Sequence, residues 1–228
     1  MATTDPSAAP ADPAAPIDAD ILVIVAHPEL EQSRANRRLL QAARALQGRS
    51  AAGRLAVRDL YALYPDYLID IAVEQAALKA AKLVVWQQPI RWYSMPPLLK
   101  LWLDDVLTFG WAYGPDGDAL RGKDLWLVAS TGGPEDSYRP DSYNRYFFDA
   151  FLPPYEQTAA LCGMRFLPPL VLHGAHKASE ADLAAHAATY AQKLADYPAW
   201  PEIDEVEDCV ECAVPTSARP SDRVAEVA

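Results

Sequence analysis

The residues best suited to bind a charged group follow the first strongly apolar run of the chain. His27 comes directly after that run, and residues 33–36 open a stretch with helical spacing that continues to Leu46. Ser33 is an N-cap residue type, and the free N–H groups at the start of a helix favour a phosphate. The alternative is that Ser33 only caps a helix and His27 only occupies a turn. The candidate phosphate-binding residues are His27, Ser33, Arg34, Ala35 and Asn36.

Flat aromatic side chains make residues 88–95 the second candidate for binding, here of a planar ring. Trp92 and Tyr93 combine apolar faces with polar tips, and prolines before and after them interrupt regular backbone hydrogen bonding. A pocket built from aromatic side chains and fixed backbone groups suits a heteroaromatic ring. The alternative is that both aromatic residues cap the core. The candidate ring-binding residues are Ile90, Arg91, Trp92 and Tyr93.

A third candidate is the segment Ser130-Thr131-Gly132-Gly133, which follows another apolar run. Paired glycines let the backbone approach a ligand closely or adopt a positive φ, whereas the alternative is an ordinary tight turn. His173 and His176 follow a later run, and because no third ligand stands at a suitable spacing we interpret them as turn residues and expect no metal site. The motifs GxGxxG and GxxxxGK[ST] are absent from the sequence, which weakens dinucleotide-fingerprint and P-loop interpretations.

These three loops are expected at the carboxyl ends of strands. The apolar, β-branched runs predict five strands alternating with helices, which indicates an α/β fold with a doubly wound parallel sheet. In such sheets ligands bind at the switch point outside the strand ends, and a flavodoxin-like order with helices on both faces puts the three loops there. The predicted strands are 21–26, 54–58, 83–86, 125–129 and 165–172. Of the predicted helices, the first ends at residue 46 and the other three span 70–81, 97–107 and 179–194.

Four details refine this interpretation. Pro168-Pro169 interrupts the fifth run, which indicates an edge strand. Residues 59–66 are expected to form a Tyr-rich loop. The aromatic-rich segment 138–155 has only partly helical spacing, and its composition is typical of a core or a subunit interface. Ser179 and Asp182 are expected to close a helix capping box only imperfectly.

The acidic charge is concentrated at the two ends of the chain. Of the net charge of −11, residues 1–18 contribute −3 and residues 201–228 contribute −6, which leaves −2 for residues 19–200. The central part is nearly neutral, so we expect no nucleic-acid partner. The composition predicts a disordered Ala/Pro-rich leader over 1–18, one domain over 19–200 and an acidic disordered tail over 201–228.

Cysteine usage and hydropathy indicate a cytoplasmic protein. Cys162, Cys209 and Cys212 do not form a disulfide framework, and the sequence begins without a signal-peptide pattern. No apolar stretch approaches the roughly 20 residues that span a bilayer. Cys209 and Cys212 form a CxxC, a redox or metal-site pattern, but the tail offers no second cysteine pair and we interpret it as inert.

With these loops identified, the sequence resembles the flavodoxin-like NAD(P)H:quinone oxidoreductases, most closely the ancillary flavoproteins of the glutathione-regulated potassium-efflux system. The resemblance covers about residues 20–197, and its long central motif makes it specific. The matching segments are His27-Pro28 with Ser33-Arg34-Ala35-Asn36, residues 61–70 (YALYPDYLID), 86–102 (WQQPIRWYSMPPLLKLW), 110–114 (GWAYG) and 130–133 (STGG).

The resemblance implies a flavin, and a core of this length resembles the FMN-using members more than the FAD-using ones. Residues 27 and 33–36 would bind its phosphate and ribityl end, residues 90–93 would line the isoalloxazine ring, and residues 130–133 would contact the pyrimidine edge. NAD(P)H would donate a hydride and a quinone would accept it, in a ping-pong cycle through one stacking position. Tyr138 is our hypothesis for a catalytic group near the quinone oxygen, and the alternative is a packing or surface tyrosine.

The family also implies partners. A homodimer is expected, with contacts formed by residues 138–155 and 111–113, and docking to a potassium-efflux antiporter would place the protein at the inner face of the membrane. The alternative function is a regulatory subunit whose flavin is mainly structural. Two residues depart from the family pattern: Pro134 would stiffen the glycine loop, and Arg91 would face an anionic flavin or nucleotide phosphate, or only solvent.

Overall fold

The predicted five-stranded parallel sheet is present. The computed structural model describes residues 17–47, 54–201 and 203. Within these ranges the sheet has the order β2-β1-β3-β4-β5, and every neighbouring pair is parallel. The order changes direction at β1 and β3, so the switch point lies outside the carboxyl ends of these two strands. The strands are β1 (Ile21–Val25), β2 (Leu55–Asp59), β3 (Leu83–Pro89), β4 (Asp124–Ser130) and β5 (Arg165–Leu172).

Helices cover both faces of the sheet. Apolar side chains of α1 and α6 pack on one face with Val23 and Val85, while those of α2 to α5 pack on the other with Leu22 and Val84. Successive strand residues therefore point into two different cores, which explains why β1 is apolar at every position. The α/β, flavodoxin-like fold class is confirmed. The helices are α1 (Arg34–Leu46), α2 (Leu60–Leu63), α3 (Ile71–Ala80), α4 (Pro97–Val106), α5 (Pro153–Leu161) and α6 (Glu180–Asp196).

Two local expectations need correction, and one helix was not predicted. The Tyr-rich loop begins with the one-turn helix α2, whose N-cap Asp59 accepts a hydrogen bond from the N–H of Ala62. Residues 153–161 form a regular helix, because prolines at its first two positions need no N–H partner there. The capping box of α6 is complete: Ser179 Oγ accepts from Asp182 N–H, and Asp182 Oδ2 accepts from Ser179 N–H, both at 3.1 Å.

The edge position predicted for the fifth strand is confirmed, and its two prolines coincide with an irregularity. Trp126 of β4 pairs with Leu167 of β5, whereas Val128 pairs with Leu170, so the pairing register shifts between Trp126 and Val128. One extra residue of β5 is accommodated at this β-bulge, since proline has no N–H to donate to β4. The indole Nε1–H of Trp126 donates a hydrogen bond to the carbonyl of Pro168 at 3.1 Å, so this side chain joins the two strands at the irregularity.

Several predictions lie at the margins of the described residues. Residues 1–16 of the predicted leader and residues 204–228 of the predicted tail, including Cys209 and Cys212, lie outside them. Ile17 packs against the core and Ile203 is buried, so folded contacts extend slightly beyond the predicted domain limits of 19–200. Of the helices that the structure describes, none is both long and apolar enough to cross a bilayer.

Candidate functional site

The carboxyl ends of β1, β3 and β4 open into a cleft of about 530 Å³, which we call the main cleft. This volume lies within the range of about 300–1,000 Å³ that small-molecule sites usually occupy. Each of the three loops singled out by the sequence contributes to the walls, together with the loop that follows β5. The lining residues are His27, Glu29, Gln32, Ser33, Arg34, Ala35, Pro89, Ile90, Arg91, Trp92, Ser130, Thr131, Gly132, Ala175 and His176.

The start of α1 forms the polar end of the main cleft. Ser33 caps the helix by accepting a hydrogen bond from the N–H of Asn36 at 3.0 Å. The N–H groups of Arg34 and Ala35 have no partner within the helix, because they belong to its first turn. Both residues lie on the cleft wall, so this end of the cleft offers backbone donors and the positive end of a helix dipole. The arrangement suits a phosphate.

His27 adds a neutral hydrogen-bond donor at the same end. Its Nδ1 accepts a hydrogen bond from the N–H of Glu29 at 3.1 Å, so the proton of the neutral ring sits on Nε2. Burial lowers the pKa of His27, and the positive charge of Arg91 lowers it further. The imidazole is therefore uncharged at pH 7 and binds an anion through hydrogen bonding instead of charge.

Each arginine of the main cleft is already paired with a carboxylate at the rim. Arg34 Nη2 lies 2.6 Å from Glu180 Oε1 at the start of α6, and Arg91 Nη2 lies 3.7 Å from Glu29 Oε2. All four side chains are partly exposed. A ligand anion in the cleft therefore competes with carboxylates for these two cations.

Asn36 stands behind the cleft wall and holds its parts together. The side chain is only 1% exposed, and its Nδ2 donates to Ser130 Oγ at 2.8 Å. Gln87 Nε2 donates to the carbonyl of Asn36 at 2.9 Å, and Tyr190 donates to Gln87 Oε1 at 3.1 Å. This buried network links α1, β3, β4 and α6 directly beneath the switch point.

The apolar end of the main cleft is a tight turn with an unusual backbone. Arg91 and Ser94 exchange two backbone hydrogen bonds of 2.9 and 3.1 Å, with Trp92 (φ 50°) and Tyr93 (φ 63°) between them. Two consecutive positive φ values define a type I′ turn, which favours Asn and Gly because side chains clash there. Trp92 is 94% exposed, so no core packing offsets the strain. Strained residues of this kind concentrate at ligand sites.

A smaller cleft of about 270 Å³, the aromatic cleft, adjoins the main one and shares Ile90 and Trp92 with it. Tyr93 stacks on Phe151 at a centroid distance of 5.1 Å, and its hydroxyl donates to Asn144 Oδ1 at 3.3 Å. Because Trp92 lines both clefts, a flat ligand that lies against its ring is accessible from either one. The lining residues are Ile90, Trp92, Tyr93, Gly133, Tyr138, Tyr143 and Asn144.

Tyr138 combines the two roles that the sequence left open. Its ring is 8% exposed and packs edge-on against Phe148 and Phe151, as a core residue does. It also lines the aromatic cleft. Burial raises the pKa of the Tyr138 phenol, although a hydrogen bond with the Thr131 side chain opposes that shift. The hydroxyl is therefore protonated at neutral pH.

The glycine pair serves the packing of its own loop. Neither Gly132 nor Gly133 has a positive φ. A Cβ on Gly133 would stand 2.7 Å from Ser137 Oγ, and a Cβ on Gly132 would stand 3.3 Å from the ring of His176. Pro134 continues this packing, because its carbonyl accepts from Ser137 Oγ at 2.6 Å.

The structure divides the predicted site residues into three groups. Ten line the main cleft: His27, Ser33, Arg34, Ala35, Ile90, Arg91, Trp92, Ser130, Thr131 and Gly132. Tyr93, Gly133 and Tyr138 line the aromatic cleft without lining the main one, and Asn36 lines neither.

Seven lining residues were not predicted from the sequence, and His176 is the clearest case. His176 and Ala175 follow β5, and we interpreted this segment only as a turn although it stands at a strand end like the other three loops. The other missed residues are Glu29, Gln32, Pro89, Tyr143 and Asn144. Among the described residues, no group of three or more His, Cys, Asp or Glu is arranged to hold a metal ion.

A parallel sheet of order 2-1-3-4-5 with a cleft over its switch point is the architecture of a flavodoxin-like protein. The chain belongs to the family of flavodoxin-like fold proteins, whose pattern matches residues 19–194. It is similar to the glutathione-regulated potassium-efflux system ancillary protein KefF of Klebsiella aerogenes, with 47% identity over 177 residues that cover 78% of this chain and 96% of that protein.

Two solved structures are similar over nearly their whole length. The general stress protein 14 of Treponema denticola, in complex with FMN, is 39% identical with a TM-score of 0.70, covering 77% of this chain and 97% of that one. The NADPH-quinone reductase from P. pentosaceus is 27% identical with a TM-score of 0.68, covering 77% and 97%. The family resemblance seen in the sequence is confirmed.

Proposed function

We propose that the protein is an FMN-dependent oxidoreductase that transfers a hydride from NAD(P)H to quinones in a ping-pong cycle. The observation that carries this proposal is the bipolar main cleft over the switch point, with free helix N–H groups at one end and the exposed Trp92 at the other. An FMN has the same polarity, a phosphate at one end and a flat ring at the other. The FMN complex of the similar Treponema denticola protein and the quinone reductase from P. pentosaceus support the cofactor and the reaction.

The residues of the cleft divide the work of holding FMN. Ser33, Arg34, Ala35 and His27 would bind the phosphate and ribityl end, because they supply the donors described above. Ile90, Arg91 and Trp92 would line the isoalloxazine ring, with Tyr93 behind them. Residues 130–133 would contact the pyrimidine edge, and Asn36 would position both loops through Ser130.

FMN supplies reversible two-electron chemistry, and the protein supplies orientation and protection from water. The nicotinamide and the quinone would use the same stacking position in turn, which the aromatic cleft beside Trp92 provides. Tyr138 is the group that we place beside the quinone oxygen, where a protonated hydroxyl stabilises the charge that arrives with the hydride.

Two further proposals concern partners. A homodimer is supported by the exposure of Tyr143 (86%), Tyr146 (61%) and Phe147 (60%) in the predicted contact segment. Of these three residues, Tyr143 lines the aromatic cleft. The other predicted contact, residues 111–113, is less available, because Ala112 is buried and Trp111 and Tyr113 pack against the core. Because aromatic residues are enriched in protein interfaces, the first segment is the better candidate for the dimer contact.

The second candidate function is regulation of potassium efflux. It is favoured by similarity to KefF, which is named as an ancillary protein of a glutathione-regulated potassium-efflux system. In this regulatory function the protein docks to the cytoplasmic face of an antiporter, whether or not its flavin also catalyses hydride transfer. The two functions are compatible, and co-purification with a membrane antiporter from the native cell would support the regulatory one.

The experiment that tests the enzymatic proposal is a visible spectrum of the purified protein, followed by anaerobic addition of NADH or NADPH and then of a quinone. We expect a yellow protein whose absorbance is bleached by the nicotinamide and restored by the quinone. A colourless protein that neither binds added FMN nor oxidises NAD(P)H would overturn the proposal.

A further inference from the structure

The side chain of Asn144 lies in the wall of the aromatic cleft and is held there from two sides. Its Nδ2 donates a hydrogen bond to Ser137 Oγ at 2.9 Å, and its Oδ1 accepts one from the Tyr93 hydroxyl at 3.3 Å. The backbone N–H of Asn144 also donates to the carbonyl of Ser137 at 3.0 Å. Asn144 therefore joins its own loop to the turn that contains Tyr93, and its amide is fixed by protein contacts alone.

The partners of Ser137 determine which end of this amide is the nitrogen. Ser137 Oγ donates its single proton to the carbonyl of Pro134 at 2.6 Å. It must therefore accept from Asn144, so Nδ2 faces Ser137 and the amide oxygen faces Tyr93. A side-chain amide nitrogen carries two protons, and the bond to Ser137 uses one of them. The second proton has no partner among the residues that the structure describes.

The absence of a side chain on Gly133 leaves space beside this nitrogen. A Cβ on Gly133 would stand 3.4 Å from Asn144 Nδ2 and 3.6 Å from Tyr138 Cε2. All three residues line the aromatic cleft, so the amide nitrogen and the tyrosine ring border the same part of it. None of the residues that line this cleft carries a formal charge. Aromatic walls with neutral hydrogen-bond donors suit a flat, uncharged carbonyl compound.

We propose that the second Nδ2 proton of Asn144 donates a hydrogen bond to a carbonyl oxygen of the quinone in the aromatic cleft. This inference rests on the proposed function, since it concerns the quinone half of that reaction. Hydride transfer turns the quinone into a hydroquinone anion, which then takes its second proton from water. Negative charge develops on the oxygen during the transfer, and a donor that is already fixed in place stabilises this charge without reorganisation.

The test measures reoxidation alone, so it does not depend on how fast a variant is reduced by NAD(P)H. FMN-loaded protein, freed of unbound FMN, is reduced anaerobically with stoichiometric dithionite. It is then mixed rapidly with benzoquinone or with ferricyanide, which accepts electrons without a carbonyl oxygen. High ionic strength screens the charges of ferricyanide and of the variants. The ratio of the two rate constants is formed within each variant, so a general change at the flavin affects both values.

Asn144→Asp and Asn144→Leu should each lower the benzoquinone-to-ferricyanide ratio about tenfold, the effect of losing one hydrogen bond. Asn144→Asp is the sharper variant, because its two oxygens can still accept from Tyr93 and Ser137. The Pro134 carbonyl then keeps a partner, since it also accepts from the N–H of Ser137 at 3.0 Å. Ser137→Ala is the matched control: it breaks the bond to Nδ2 but leaves both amide protons, and should lower the ratio clearly less.

A binding measurement provides a readout besides turnover. The oxidised protein has no electrons to give to benzoquinone, so the quinone can be titrated into it while side-chain amide NMR spectra are recorded. One Nδ2 proton of Asn144, assigned by its absence in Asn144→Asp, should shift downfield as the quinone binds. An unshifted signal at saturating quinone, a wild-type ratio in Asn144→Asp, or an equal loss in Ser137→Ala would overturn the proposal. A wild-type protein whose flavin neither NADH nor NADPH reduces would instead refute the proposed function.

Discussion

The side-chain amide of Asn36 donates a hydrogen bond to the hydroxyl of Ser130 across the floor of the main cleft, at 2.8 Å. This contact joins the first turn of α1, which offers the free N–H groups, to the last residue of β4. We expect it to position the two loops relative to each other.

Asn36→Ala should therefore lower both stability and FMN affinity. Removing one partner of a buried hydrogen bond costs about 1–3 kcal/mol, and here the Ser130 hydroxyl also loses its donor. Urea denaturation measures the first effect and flavin-fluorescence titration the second. The control is Gln192→Ala, which removes an exposed amide that bonds to Asp196 at 2.8 Å. A stability change no larger than that of the control would contradict the role of Asn36.

Relief of backbone strain is predicted for Trp92→Asn. Asn tolerates a positive φ, so the variant should be more stable than the wild type by about 0.5–1 kcal/mol. It should at the same time bind FMN more weakly, because the flat face at the apolar end of the cleft is gone. Trp92→Phe keeps a ring and the strain, and should leave stability unchanged. If Trp92→Asn were less stable than the wild type, the turn would not be strained.

Glu74 is the centre of a buried network whose disruption should be costly. It is fully buried and accepts from Arg58 Nε at 2.7 Å, Tyr64 at 2.6 Å and Trp102 Nε1 at 3.0 Å. Burial and the adjacent Glu74 charge raise the pKa of Tyr64 to about 12. Glu74→Gln leaves the Arg58 cation buried without a counter-charge and should destabilise by about 3–5 kcal/mol in urea denaturation.

The double variant Arg58→Met/Glu74→Leu is the matched test of this explanation. It removes both charges together, so it should be closer to wild-type stability than Glu74→Gln. If the double variant were the less stable of the two, packing and not charge compensation would account for the effect.

Acid should destabilise the protein before its carboxylates titrate. Burial lowers the pKa of His27, His173 and His186, and burial is the largest cause for each. In the unfolded chain a histidine has a pKa of about 6.5. As the pH decreases from about 7, the unfolded chain therefore binds more protons than the folded one, and the free energy of unfolding falls.

Denaturation curves between pH 7.5 and pH 5 measure this slope. His186→Leu should flatten it, since Nε2 of His186 is buried and has no hydrogen-bond partner among the described residues. His176→Gln changes an exposed histidine and serves as the control. Equal slopes for His186→Leu and the wild type would show that His186 does not contribute.

Removing the carboxylate of Glu180 should strengthen the binding of a phosphate-bearing ligand. Arg34 would be released from its 2.6 Å contact, and a negative charge would leave the rim of the cleft. FMN titration of Glu180→Gln should give an affinity a few fold higher at low salt, with the gain shrinking as screening increases. Glu156→Gln, an exposed acid on α5, is the control. Weaker binding by Glu180→Gln would mean that Glu180 instead holds Arg34 in its binding position.

The sequence was sufficient to predict the sheet and most of the main cleft. Continuous apolar runs marked the strands, and the polar or aromatic residues after them had to collect at one edge because parallel strands end together. Ten of the thirteen predicted cofactor-binding residues line the main cleft for this reason.

The remaining features depend on contacts that no sequence pattern encodes. Trp92 and Tyr93 take positive φ values that side chains normally avoid, and this turn separates the two clefts. Asn36 looks like any polar residue in a first helical turn, yet it points inward to Ser130. His173 contacts side chains that lie 25 to 42 residues earlier in the chain, and its spacing alone indicated only a turn.

The two prolines of β5 also affect how copies of this protein can associate. Successive N–H groups of a strand point to alternate sides, so Pro168-Pro169 removes one donor facing β4 and one facing outward. A strand from another molecule would meet an interrupted ladder at this border. Growth of the sheet from one molecule into the next is therefore discouraged along β5, and two copies are left to meet through helices and loops. This arrangement resists the edge-to-edge aggregation to which open parallel sheets are prone.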